Sequence, residues 1–161
     1  YLGGGYPELY AAQLSENRSM CSSVRAALEA GLPCIAECGG FLYLGRSLED
    51  ADGKAWPMAD VLPGDGIRVG RLVRFGYAEM TAKADSMLFC AGETLPIHEF
   101  HHWDSTANGT AFTARKNEKM QWECGFATEN FYAGFPHLYW AGTPLPGRFV
   151  RAAERYSKTK G

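Results

Sequence analysis

The segment Pro33-Cys34-Ile35-Ala36-Glu37-Cys38-Gly39-Gly40-Phe41-Leu42-Tyr43-Leu44-Gly45 constrains this chain more than any other. An apolar run of strand character meets a helical pattern with no linker between them, so the backbone must turn sharply at Cys38. Such a turn needs small neighbours, and Ala36, Gly39 and Gly40 supply them. The pattern is that of a nucleophile elbow, carrying cysteine where many hydrolases carry serine. An elbow of this kind holds the sulfur at the positive end of the next helix, where thiolate is favoured over thiol. It also offers the Gly39 backbone N–H to a developing oxyanion. From these residues alone, a small buried cysteine ahead of a glycine turn is the alternative.

What precedes the elbow has the grammar of a helix feeding a parallel strand. Leu9 to Leu14 reads as a short helix, Ser15-Glu16-Asn17 caps a second one carrying Val24, Ala27 and Leu28, and Gly31 ends it just before the strand. Ahead of these, Tyr1-Leu2-Gly3-Gly4-Gly5-Tyr6-Pro7-Glu8 reads as a strand end entering a glycine loop, whose free N–H groups can approach a ligand closely. It begins without methionine, which suggests a piece of a longer chain. After the elbow, Phe41 to Leu48 continues as a helix with Leu44 and Leu48 on one face, and Asp50-Ala51-Asp52-Gly53 forms a turn. Met58 to Leu62, Gly70 to Met80 and Thr110 to Arg115 read as strands, and Lys158-Thr159-Lys160-Gly161 as a polar tail.

Three of the four histidines fall in Ile97-His98-Glu99-Phe100-His101-His102-Trp103. The second histidine arrives one residue too early for the H-E-x-x-H zinc pair. In a strand His98 and His102 share one face while His101 joins Glu99 on the other, so a metal is disfavoured against substrate binding or plain hydrogen bonding. The remaining histidine, His137, stands in Phe135-Pro136-His137-Leu138-Tyr139-Trp140. A cysteine nucleophile needs a base to take and return its proton, and a histidine distant in sequence is a common supplier.

Composition narrows the partners. The 161 residues, 46% of them hydrophobic, suffice for one core and one domain. A net charge of -2 and no basic run longer than a pair argue against nucleic acid and anionic membrane surfaces. No stretch approaches the roughly 20 apolar residues of a membrane span. Five cysteines without a C-x-x-C argue for reduced thiols in a cytoplasmic setting, with neither a disulfide framework nor a zinc site.

Taken together, Gly3-Gly4-Gly5-Tyr6-Pro7-Glu8, Ala36-Glu37-Cys38-Gly39-Gly40-Phe41-Leu42-Tyr43-Leu44, His98-Glu99-Phe100-His101 and Phe135-Pro136-His137-Leu138-Tyr139-Trp140 resemble the glutaminase domain of the cobyrinic acid a,c-diamide synthases. The resemblance runs over nearly all of residues 1–161, in order. It implies an α/β fold of the class I glutamine amidotransferase type, flavodoxin-like, with an open, mostly parallel sheet flanked by helices. It implies Cys38 as nucleophile and His137 as base, with Gly4, Gly5 and Gly39 supplying oxyanion N–H donors. It places His98, Glu99 and His101 at the glutamine site or at the face meeting an N-terminal ATP-binding domain. That domain, absent here, would hold ATP and magnesium and activate two carboxylates of a corrinoid acceptor; no cofactor is expected in residues 1–161 themselves. A homodimer remains open. In most class I glutaminases a glutamate two residues after the histidine orients it, but here that position is Tyr139, as in the cobalamin-type branch. The His-Glu-Phe-His centre has also lost the flanking residues usual in the family. Rival readings are a ligase for another acceptor, such as cobyric acid or a nickel tetrapyrrole, a non-catalytic domain of the same fold, or a cysteine peptidase.

Overall fold

The computed structural model describes residues 1–159. From the N-terminus, a 3-10 turn at Pro7–Tyr10 leads into α1 (Ala11–Glu16) and α2 (Arg18–Glu29). Asn17 caps α2 through its side chain, which accepts a hydrogen bond from the Met20 N–H at 3.2 Å. Gly31, at φ 85°, ends the turn after α2 and sends the chain into β1 (Cys34–Glu37), α3 (Gly39–Tyr43) and β2 (Ser47–Glu49). Then come β3 (Ala55–Pro57), β4 (Asp65–Arg68), β5 (Arg74–Ala82), β6 (Thr94–His101), β7 (Trp103–Ser105) and β8 (Phe112–Asn117). The chain closes with β9 (Met120–Cys124), β10 (Phe126–Ala127), β11 (Phe131–Gly134), β12 (His137–Leu138) and the long helix α4 (Leu145–Thr159).

These strands form three sheets, ordered β1-β11-β10, β12-β6-β5-β8-β9 and β3-β2-β4-β7. Of the strand pairings among the described residues, only β1 with β11 and β2 with β4 are parallel, joined by a parallel bridge from Leu2 to Ala36. The mixed α/β class stands, but the expected mostly parallel sheet does not: the pairings are mainly antiparallel. Parallel neighbours need a crossover of a dozen or more residues, usually helical, and between α3 and α4 no α-helix supplies one.

The central pair β1 and β11 is covered on both faces, and every residue of β1 is buried. Alternation along the strands sends Ile35 and Tyr132 into one apolar cluster, with Met80, Ile97, Phe112 and Leu145. Cys34, Ala36 and Ala133 enter a second, with Ala11, Phe41, Leu44 and Leu48. Leu44 and Leu48 are both fully buried as expected, but the helix stops at Tyr43 and Leu48 lies on β2. Met58 to Leu62 is no strand either. Its N–H groups bond the carbonyls of Tyr43, Leu44, Gly45 and Arg46, closing the C-terminal end of α3. Its apolar residues signal burial, which they achieve, without a ladder. The strand expected at Gly70 begins only at Arg74, because Gly70 sits at φ 72° in a turn. Lys158 and Thr159 belong to α4 and not to a tail; Lys160 and Gly161 lie outside the described residues. No helix among the described residues is long and apolar enough to cross a membrane.

Candidate active site

Cys38 occupies the turn between β1 and α3 with φ 49° and ψ -104°, a region that non-glycine residues enter only when the surroundings enforce it. Its own N–H bonds Gly134 O at 2.8 Å, which ties the turn to the end of β11. The segment after Leu2 lies across the start of α3. Leu2 N–H bonds Ile35 O at 2.8 Å, Glu37 N–H bonds Leu2 O at 2.9 Å, and Gly40 N–H bonds Gly3 O at 3.2 Å. The approach is so close that a Cβ on Gly40 would lie 2.3 Å from Leu2 O, and one on Gly4 would lie 2.5 Å from Cε1 of His137. Cys38 is thereby roofed and only 8% exposed. The first N–H groups of a helix have no intrahelical acceptor; Gly40 spends its own on Gly3 O, and Gly39 stands next to the sulfur at the helix start.

His137 arrives from the other strand of the parallel pair. Glu37 and Gly134 are partners on the last rung of β1 and β11, and the chain then turns through Phe135 and Pro136 into β12. Tyr132 holds that corner, its hydroxyl donating to Pro136 O at 3.1 Å. The imidazole meets the Cys38 side chain on one side and the Glu37 carboxylate on another, with 3.6 Å from Nδ1 to Oε2. The neighbouring Cys38 side chain first, and the Glu37 carboxylate next, raise the His137 pKa from 6.5 to about 10 against the opposing effect of burial. Burial raises the Glu37 carboxyl, but the neighbouring His137 imidazole and the hydrogen bonds from Tyr1 and the Leu138 N–H outweigh this and hold it below its ordinary value. In the sequence Glu37 stands out only as part of the elbow; its one legible signal is a charged residue inside an otherwise apolar strand.

The histidine-rich segment divides by strand alternation. His98 is the cross-strand partner of His137 and shares its face of the sheet. It continues into a strip of rings on the outer surface: Tyr77 at 5.0 Å and Phe75 at 6.2 Å from His98, Phe100 at 5.9 Å from Phe75, and His102 at 5.5 Å from Phe100. Glu99 and His101 point the other way and are buried, at 3% and 6% exposure. His101 Nε2 meets Glu99 Oε2 at 3.1 Å, Trp122 Nε1–H donates to Glu99 Oε1 at 3.1 Å, and the His101 ring stacks on Phe135 at 3.7 Å. Glu99 and His101 both border a small cavity together with Arg74, Asp104 and Phe135, whereas half-buried His98 shares the sheet face of His137. Gly5 flanks the roof: it and Gly39 border an open apolar groove lined by Tyr6, Tyr10, Met20 and Tyr43. Among the described residues no three His, Cys, Asp or Glu side chains converge as metal ligands would. All five cysteines are free thiols, and only Cys90 is exposed.

A cysteine on a strained elbow beside a histidine is an arrangement for acyl transfer. Residues 1–144 match the model of the CobB/CobQ-like glutamine amidotransferase domain. The chain belongs to that family. Among similar proteins, the cobyrinate a,c-diamide synthase of Salmonella typhimurium is 40% identical over 161 residues, covering 96% of this chain and 35% of that protein. The cobyrinate a,c-diamide synthase of Caldanaerobacter subterraneus is 38% identical over 141 residues, covering 86% of this chain and 31% of its own. That of Thermoplasma volcanium is 31% identical over 164 residues, covering 99% and 36%. This amidotransferase domain therefore spans about a third of the length of the relatives it matches.

Proposed function

We propose that the chain is the glutaminase part of a glutamine-hydrolysing, ATP-dependent cobyrinate a,c-diamide synthase, with Cys38 as nucleophile and His137 as its base. The observation that carries the reading is the parallel β1–β11 register, which brings the elbow thiol and the histidine of the following corner together. The Cys38 sulfur attacks the side-chain carbonyl carbon of glutamine, its proton residing on the imidazole. The C–N bond then breaks as the imidazolium passes that proton to the departing ammonia, leaving a thioester. Water, deprotonated by the now neutral imidazole, hydrolyses the thioester to glutamate and restores the thiol. The Gly39 N–H and the Gly4-Gly5 loop are the donors assigned to the oxyanion of each tetrahedral intermediate.

The ammonia goes to the a and c carboxylates of a corrinoid acceptor, activated elsewhere. Residues 1–161 contain no G-x-x-x-x-G-K-[ST] phosphate loop, and ATP and magnesium are assigned to the two thirds of the relatives' length that this chain does not span. The strip of exposed Phe75, Tyr77 and Phe100 with half-buried His98, beside His137, is the face assigned to that remainder, since contiguous apolar surface of this kind marks an interaction site.

An electrophilic glutamine analogue tests the reading. Peptide mapping after brief exposure is expected to find label on Cys38 ahead of Cys21, Cys34, Cys124 and the exposed Cys90. Release of glutamate from glutamine is expected to vanish in Cys38→Ser and in His137→Ala. Equal labelling of all five thiols in the folded protein would refute it.

A further inference from the structure

We propose that Glu37, the residue immediately before the nucleophile, is the positioning carboxylate of His137, and that the Tyr1 hydroxyl fixes this carboxylate in place. The inference rests on the Cys38–His137 reading and identifies what holds the imidazole. Position 139, where a carboxylate would ordinarily stand, carries Tyr139, whose ring is 58% exposed and turned to solvent. Glu37 is instead enclosed, with a side chain 4% exposed between the fully buried core residues of β1 and the β11–β12 corner. Enclosing an ionised carboxylate is unfavourable by several kcal/mol unless every oxygen finds a donor. Both do. Oε1 accepts from the Leu138 N–H at 3.1 Å, and Oε2 accepts from the Tyr1 hydroxyl at 2.7 Å.

One carboxylate thus grips the backbone of residue 138 and faces the ring of residue 137. At 3.6 Å, Nδ1 and Oε2 form an ion-pair contact longer than a hydrogen bond, so Glu37 acts by its charge and by fixing the backbone that carries the imidazole. A carboxylate beside Nδ1 keeps the proton on that nitrogen, leaving the other to exchange one. The groups facing the ring are Cys38 and Glu37 from the β1 end, Gly4 from the glycine loop, and His98 from β6. Of these Glu37 is the one carboxylate. The raised His137 pKa, about 10, agrees with a cation held between sulfur and carboxylate.

Titrating the His137 ring by NMR, alongside the pH profile of Cys38 alkylation, tests this. In Glu37→Gln, the His137 midpoint is expected to fall by about one unit or more, a tenfold or greater loss of proton affinity, with the alkylation profile moving in step. Glu37→Asp is expected to restore part of the shift. An unchanged His137 midpoint and an unchanged alkylation profile in a folded Glu37→Gln protein, whatever its melting temperature, would overturn the proposal. Tyr1→Phe covers the case in which Glu37→Gln fails to fold. Its hydroxyl donates to the same oxygen that faces Nδ1, so removing it leaves that oxygen to the imidazole alone and is expected to move the midpoint upward. No movement would again overturn the proposal. If Cys38 proves no more reactive than Cys90, the glutaminase reading falls, while the NMR midpoints still decide the role of Glu37.

Discussion

Replacing Gly40 by alanine tests how the roof over Cys38 is attached. The new Cβ would lie 2.3 Å from Leu2 O, 2.7 Å from Leu2 C and 2.8 Å from Leu2 Cβ. Ordinary van der Waals contact begins near 3.4 Å, so one side must move by about 1 Å. Neither side is a flexible side chain. Gly40 is fixed in α3, and Leu2 is fixed by its bonds to Ile35 and Glu37. Relief therefore means peeling Leu2 and Gly3 away, with three backbone hydrogen bonds at a net ~0.5–1.5 kcal/mol each. Alanine returns ~1 kcal/mol over glycine within a helix. The balance is a destabilisation of about 2 kcal/mol, and with a urea slope of ~1–3 kcal/mol/M the midpoint should fall by about 1 M. Gly5→Ala is the control: its Cβ meets nothing within 4 Å, and its stability should change by less than ~0.5 kcal/mol. Urea unfolding followed by tryptophan fluorescence measures both. A Gly40→Ala protein as stable as the parent, with an unchanged slope, would show that the N-terminal segment is not seated on α3.

Further outcomes are expected. Cys34→Ser places a hydroxyl in a site only 5% exposed and should cost ~1–3 kcal/mol in denaturant unfolding while glutamine hydrolysis persists, in contrast to its loss in Cys38→Ser. Tyr132→Phe removes the donor to Pro136 O at the buried corner and should cost about 1 kcal/mol by the same measurement, with a lower kcat as the His137 segment loosens. Stability should also follow pH on both sides of neutrality. His137 is raised from 6.5 to about 10, so its contribution is complete below about 6.5 and lost as pH climbs through about 10. Glu37 is depressed below 4.5, so its contribution is present above that value and lost as pH falls through the depressed one. Thermal midpoints against pH should therefore lose their alkaline decline in His137→Gln and part of their acid decline in Glu37→Gln; curves parallel to the parent's would contradict the assignment.

The elbow is legible in the sequence because its constraint is local. A strand, a residue of positive φ and a helix start are written in consecutive residues, and Asn17, Gly31 and the Asp50–Gly53 turn are legible for the same reason. The two-residue period of β6 likewise suffices to separate His98 from Glu99 and His101. Sheet direction is not legible, because pairing joins residues far apart: β1 meets β11 across most of the chain, and nothing in either strand says which neighbours stand beyond them. Met58 to Leu62 misleads for a related reason, since an apolar segment bonded to helix carbonyls has the composition of a strand. The helix α4 goes unread although Leu145, Phe149 and Ala152 repeat at helical spacing and Pro146 suits a first turn. Glu37 is hidden because its partners, Tyr1 and residues 137 and 138, are neighbours only in space.

The parallel rung that joins Glu37 to Gly134 also dates the chemistry within the life of the chain. The Glu37 carboxylate and the Leu138 N–H it holds are separated by 101 residues, so no local fluctuation can assemble the pair. Closing so long a loop is slow relative to forming α2 or the β5–β6 hairpin. On a ribosome adding ~5–20 residues per second, Cys38 is joined to the chain roughly 5–20 s before His137 is. Throughout that interval Cys38 has no His137 beside it. Under the proposed Cys38–His137 pairing, rapid reaction of Cys38 would be a timestamp, marking the moment at which β11 has docked against β1.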